Sequence, residues 1–276
     1  MSALRKVLEL ESVGADVWVG FGYGPAGKRA FGGQFLAQSL AAAAASLTDP
    51  AADVAPTSLH LQFLRTGEAV EPTEYTVERT HDGRTAMTRR VVARQAGKIL
   101  TTATVSFSRP LPGPEHGNRG ALPHDPAELD RTGPPGPAPG LPLDELDIRV
   151  ADEGAGPEFV RRLWWRATVA LPEDALLHAC AMLFVTDVYM IDPALQVHGH
   201  SMRARTHRSG TTDAAVWFHR RVHADRWNLV ESRSPAGARG RGVVTASLLG
   251  ADGDICATLV QEGLIAERES SSTTTK

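Results

Sequence analysis

The residue types and spacings in this chain that chemistry can use are few. Gly22-Tyr23-Gly24-Pro25-Ala26-Gly27 fits G-x-G-x-x-G, the pattern of a loop that cradles a pyrophosphate. That use needs the loop to open a helix and a second parallel strand to present an acid about 20 residues later. Pro25 and the basic pair Lys28-Arg29 intervene, so the plainer reading is a glycine-rich loop running into Phe31-Gly32-Gly33-Gln34. Gly199-His200-Ser201-Met202-Arg203 resembles a nucleophile elbow but lacks its final glycine, and Gly199 reads as a turn. The ten histidines include no H-E-x-x-H and no metal-ligand spacing, so no metal is expected. Cys180 and Cys256 sit in apolar company and read as small buried residues without a redox or nucleophilic role. Arg203, Arg205 and Arg208, with Arg239 and Arg241, gather basic charge of the kind that holds phosphate groups.

The elements that would position such residues occur twice. In the first half His60–Arg65, Glu74–Thr80, Thr88–Gln95 and Ile99–Phe107 are β-branched, roughly alternating segments separated by glycine-containing turns. In the second half Ala215–Arg220, Trp227–Arg233, Arg241–Leu248 and Ile255–Gly263 follow the same plan. Aligning the copies pairs Glu78 with Glu231, Val91 with Val243, Ile99 with Ile255 and Thr104 with Val260, and each set predicts an antiparallel meander. Ahead of each lies one helix-prone segment, Gly32–Leu47 and Pro172–Val185, the second opening on Pro-Glu-Asp as first-turn residues. Both are apolar nearly all round, the mark of a helix wrapped by other structure. One buried helix and one long antiparallel sheet, used twice, predict an α+β fold in which each curved sheet rolls around its helix: a tandem double hot-dog.

Five motifs in order then carry a family resemblance: FGGQFLAQSL (Phe31–Leu40), SLHLQFLRTG (Ser58–Gly67), VYMIDPALQVHG (Val188–Gly199), VWFHR (Val216–Arg220) and LVQEGLI (Leu259–Ile265). Together the chain resembles the type II acyl-CoA thioesterases, the TesB-like double hot-dog enzymes. The resemblance implies hydrolysis of acyl-CoA to fatty acid and CoA, with no cofactor and acyl-CoA as the partner. It also implies a catalytic Asp at the end of the second helix, a Thr ahead of the VWFHR strand and the Gln of VQEG. Here those are Asp187, Thr211 (with Thr212 immediately beside it) and Gln261. Candidates for substrate contact are His60, Phe31, Gly33, Arg203, Arg205 and Trp217, with Leu36, Phe63, Met182 and Met190 as further tunnel residues; His60 taken alone reads as a satisfied structural histidine. Other readings in view are a hot-dog hydratase or dehydratase, which needs a paired Asp and His, and a non-catalytic acyl-CoA binding module.

The chemistry suits the residues. A thioester carbonyl has weak resonance stabilisation and thiolate is a competent leaving group, so a held water, a base and oxyanion donors suffice. Asp187 among Phe184, Val185 and Val188 should be pushed towards usable basicity by its apolar neighbours. Thr211 and Gln261 offer a hydroxyl and a carboxamide to orient one water. The repeat adds independent support, because the position opposite Gln261 in the first copy is Val105.

Composition bounds the rest. The chain has 276 residues, 42% apolar and 22% charged, with a formal charge of −3, which gives no electrostatic reason for a nucleic-acid or acidic-membrane partner. No apolar run is long enough for a membrane span, and no secretory signal is visible, so a cytoplasmic protein is expected. Ten of the 18 prolines fall between Pro110 and Pro142, interleaved with glycine. The expected organisation is one repeat over 1–109, a Pro/Gly-rich linker over 110–144, a second repeat carrying the catalytic residues over 145–268, and a disordered tail over 269–276. Open hot-dog sheet edges or helix faces predict a homo-oligomer.

Overall fold

The computed structural model describes residues 2–47, 54–117 and 122–268; the expected tail lies outside them. The elements in chain order are α1 (Ala3–Leu8), β1 (Leu10–Gly14), β2 (Val17–Gly20), α2 (Gly32–Ala45), β3 (Ala55–Phe63), β4 (Thr73–Asp82), β5 (Ala86–Gln95) and β6 (Lys98–Ser108). After the proline-rich segment follow β7 (Leu146–Val150), β8 (Arg161–Ala167), α3 (Ala175–Thr186), α4 (Pro193–Gln196), β9 (His207–Phe218), β10 (Asn228–Ala238), β11 (Arg241–Leu249) and β12 (Ile255–Glu267). No helix among the described residues is long and apolar enough to cross a membrane.

All the strands join one antiparallel sheet in the order β1-β2-β4-β5-β6-β3-β9-β12-β11-β10-β8-β7. Read outwards from its centre the order is the same on both sides, β3-β6-β5-β4-β2-β1 and β9-β12-β11-β10-β8-β7, so the repeats are related by a two-fold between β3 and β9. This is the double hot-dog. One expectation changes: β3 and β9 do not continue into β4 and β10 as a meander. Each pairs with the last strand of its own repeat and with the other, Leu59 opposite Val216 and Leu61 opposite Ala214. All four are buried, so the junction puts apolar inner faces together and leaves no free sheet edge between the repeats.

The ladders also correct the alignment of the copies. Val91 lies opposite Ala103 and Ala246 opposite Leu259, so the equivalent of Val91 is Ala246, not Val243. Glu78, opposite Arg90, likewise corresponds to Arg233, opposite Thr245, not to Glu231. Both pairs run at the same offset, so the sequence alignment slips by two residues at Glu78 and by three at Val91, and an odd slip reverses the face.

The helices pack against each other under the sheet. α3 starts one residue after Asp174, whose carboxylate accepts from the backbone of Leu176 (2.9 Å) and Leu177 (3.3 Å); Asp174 is thus the N-cap rather than a first-turn residue. α2 approaches α3 at Gly33, where any Cβ would overlap the backbone carbonyl of Phe184. Leu36, Ala37, Leu40 and Ala43 of α2 and Met182, Leu183 and Phe184 of α3 are fully buried. An antiparallel sheet and the glycine loop's distance from any helix start (α2 begins at Gly32, beyond Gly27) leave no dinucleotide-binding crossover.

Candidate active site

Asp187 terminates α3 as its C-cap, with φ −80° and ψ 0°. The first turn of α2 meets it: a Cβ on Gly32 would overlap Asp187 Oδ2, and the backbone N–H of Gly33 bonds to the carboxylate. A carboxylate is unfavourable at a helix C-terminus and favourable at an N-terminus, and Asp187 sits at both. Burial decides the balance. It pushes the Asp187 carboxyl up to about 6, against the opposing pull of the Gln261 carboxamide, the Thr211 hydroxyl and the Gly33 N–H.

Thr211 reaches this carboxylate because β9 is irregular. Gln261 pairs with Ala214 and Glu262 with Asp213, but Gly263 pairs with Thr211, so Thr212 is the extra residue of a β-bulge. Strict alternation from buried Ala214 would turn Thr212 inwards; the bulge turns Thr211 inwards instead. Thr211 Oγ1 lies 3.3 Å from Asp187 Oδ1 and 3.1 Å from Gln261 Oε1. Thr212 points to the other side, donating to the backbone carbonyl (3.2 Å) and carboxylate (3.1 Å) of Glu262. Gln261 is 1% exposed, and its carboxamide faces the Asp187 carboxyl. Asp187, Thr211 and Gln261, far apart in sequence, therefore form one contiguous polar cluster at the margin of the apolar core. Thr211→Ala should lower turnover of a thioester by roughly tenfold to a hundredfold by removing one preorganised hydroxyl, whereas Thr212→Ala should stay within about twofold; steady-state kinetics on the two variants checks this.

The same construction in the first repeat is chemically blank. The C-cap of α2 is Ser46, the partner of Gln261 by symmetry is Val105, and a matching bulge at Thr57 leaves Pro56 where Thr211 would be. Fully buried Arg89 occupies this end instead, donating to Ser46 Oγ (2.8 Å), the His81 carbonyl (3.0 Å) and Asp82 Oδ1 (2.5 Å). One repeat holds the polar cluster and the other a structural ion pair.

A cleft of about 700 Å³ opens beside Asp187 and Thr211. Phe31, Phe63 and Met190 line it as expected, together with Phe35 and Leu141. Arg205 lines it too, joined by Lys28, Arg29, Arg65 and Arg268, none of which forms an ion pair with a described residue. These other basic residues were missed by sequence reasoning; the available signal was Lys28-Arg29 directly after the glycine loop. Several expected contacts are elsewhere. His60 and Trp217 face outwards on β3 and β9, ring against ring at 5.2 Å, because they alternate with the buried Leu59, Leu61 and Val216. Arg203 lines a separate groove with residues 132–137. Leu36 and Met182 are core residues with no exposure, and Gly33 serves the helix crossing. Burial raises the Cys180 thiol strongly and that of Cys256 to about 11, which leaves neither a ready thiolate.

The family models decide the identity. The acyl-CoA thioesterase N-terminal domain matches residues 22–108, and the acyl-CoA thioesterase C-terminal domain matches residues 121–265. The chain belongs to the acyl-CoA thioesterase family. It is 31% identical to human acyl-coenzyme A thioesterase 8 over 283 residues, spanning 94% of this chain and 87% of that one. An acyl-CoA thioesterase II from Mycobacterium marinum superposes with a TM-score of 0.82 at 30% identity, covering 97% of this chain and 99% of the other. A hot-dog protein from Alicyclobacillus acidocaldarius, 20% identical with a TM-score of 0.77 over 97% of this chain and 99% of that one, shares the fold. Membership makes the chain an acyl-CoA thioester hydrolase. The motifs of this thioesterase surround the cluster: FGGQ opens α2 below Asp187, VYMIDP follows it, and LVQEG carries Gln261 on β12.

Proposed function

We propose that the chain cleaves acyl-CoA by direct attack of water, with Asp187 as general base. A water held by Thr211 and Gln261 adds to the thioester carbonyl carbon as Asp187 takes its proton. The oxyanion meets the positive end of the α2 dipole, where Gly32 lines the cleft. Collapse breaks the C–S bond, Asp187 returns the proton to the departing sulfur, and fatty acid and CoA leave. The apolar side of the cleft suits the acyl chain. The cations Lys28, Arg29, Arg65, Arg205 and Arg268 suit the phosphates of CoA.

The observation that supports this most directly is a partly buried carboxyl with its pKa raised to about 6, hydrogen-bonded to Thr211 at the cleft. A base must be ionised to act, so kcat should rise with pH through about 6 and then level off. A hydratase would need a histidine partnered to the acid, and the groups bonded to Asp187 are Thr211, Gln261 and Gly33. The test is free-thiol release from acyl-CoA of increasing chain length across pH 4.5–9 (about two units either side of the midpoint). A rate independent of pH between about 5 and 7, or a stable acyl adduct on Asp187 in single turnover, would remove the general-base role.

A further inference from the structure

The proline-rich segment does more than connect the repeats. Pro137, Ala138, Pro139, Gly140 and Leu141 line the cleft. The strap they belong to is anchored at both ends: the Gly133 N–H donates to the Ile148 carbonyl of β7 (2.9 Å), and Leu141 is buried in the core. Between the anchors its prolines lack the N–H groups that would tie it to a sheet. Among the described residues one side-chain hydrogen bond holds this stretch to the body of the protein, from Tyr189 Oη to the Pro137 carbonyl (3.0 Å). The fit is close, since a Cβ on Gly136 would overlap the Tyr189 hydroxyl, and a Cβ on Gly140 would lie 2.6 Å from Phe31 Cβ.

Tyr189 stands two residues after Asp187 in the left-handed region (φ 54°), a conformation costly for a bulky side chain. The loop is held from behind by Asp192, which bonds Arg161 (2.9 Å) and the Met202 N–H (2.6 Å). An unfavourable backbone conformation is thus fixed where it aims one ring at one carbonyl of the strap.

We propose that the strap, residues 133–141, is the wall that gauges the acyl group, and that Tyr189 is the positioning residue that sets its distance from Asp187. The inference rests on the acyl-CoA reading above. Ala138 is a small side chain on the cleft, so lengthening it shortens the space left for an acyl chain, while removing the Tyr189 hydroxyl frees the strap to move outwards.

The experiment measures kcat/KM for acyl-CoA substrates from short to long chains with wild type, Ala138→Phe and Tyr189→Phe. Ala138→Phe should lower the long-to-short ratio by about tenfold or more, the scale on which pockets discriminate a few methylenes. Tyr189→Phe should shift the ratio in the opposite direction, and the pH midpoint near 6 should persist in both, showing that Asp187 has not moved. A ratio that stays within about twofold in both variants, or a loss equal at every chain length, overturns the strap proposal while leaving hydrolysis standing. A wild type that releases no thiol at any length overturns the proposed function and the strap with it.

Discussion

Asp187→Asn should abolish turnover and stabilise the protein. The amide keeps the shape of the side chain and an acceptor for Thr211 but cannot take a proton, so kcat should fall between about 100- and 10,000-fold. The stability change has the opposite sign. The carboxyl has a pKa of about 6 in the folded protein against a model value of 3.8, so the folded state binds the proton more tightly than the unfolded chain. Folding then takes up protons between about pH 4 and pH 6, and stability falls as pH rises through that window, to remain lower above it. The shift corresponds to roughly 3 kcal/mol, an order-of-magnitude figure, which asparagine recovers at pH 8 and not near pH 4, where both side chains are neutral. Urea unfolding of both proteins at the two pH values, beside thiol-release kinetics, checks it. An inactive variant that is less stable at pH 8 would mean that the loss came from misfolding.

Adjacent glycines at the start of α2 should fail in two different ways. Alanine is the better helix former by about 1 kcal/mol, so any net loss on Gly→Ala reports a collision. At Gly33 the new methyl meets the backbone carbonyl of Phe184, which no rotamer change can relieve, and α2 must move off α3. The expected cost is about 3 kcal/mol, the upper part of the usual overpacking range, read as a melting point lower by roughly 6–10 °C. At Gly32 the methyl meets Asp187 Oδ2 instead, the end of a side chain that can rotate. Gly32→Ala should therefore lower kcat by at least about tenfold by turning the Asp187 carboxylate, with a smaller thermal shift. Equal melting points for the two variants would refute the separation of roles.

Much of this was legible in the sequence because it depends on local pattern. The near-continuous apolar stretches ending at Val185 and opening at Gly32 specify buried helices, and the β-branched alternation around Val91, Thr104 and Ala257 specifies strands, since 3.6- and two-residue periods write themselves into any chain with one buried face. The contrast of Gln261 with Val105 likewise showed which repeat keeps polar chemistry at its last strand. Residues 207–214 were another matter: His207-Arg208-Ser209-Gly210 carries no strand signal, and it is extended because β12 pairs with it, Ile265 opposite Ser209 and Leu264 opposite Gly210.

Tertiary structure alone decided the rest. Whether Thr211 or Thr212 faces Asp187 depends on a one-residue bulge that only the pairing of β9 with β12 defines. That His60 and Trp217 turn away follows from the inward seats of their neighbours, and that Lys28, Arg65 and residues 137–141 share a cleft with Asp187 follows from a two-fold joining of the repeats. A sequence records what each segment prefers; register, face and proximity belong to pairs of segments, and are fixed only when distant strands compete for the same hydrogen bonds and the same buried surface.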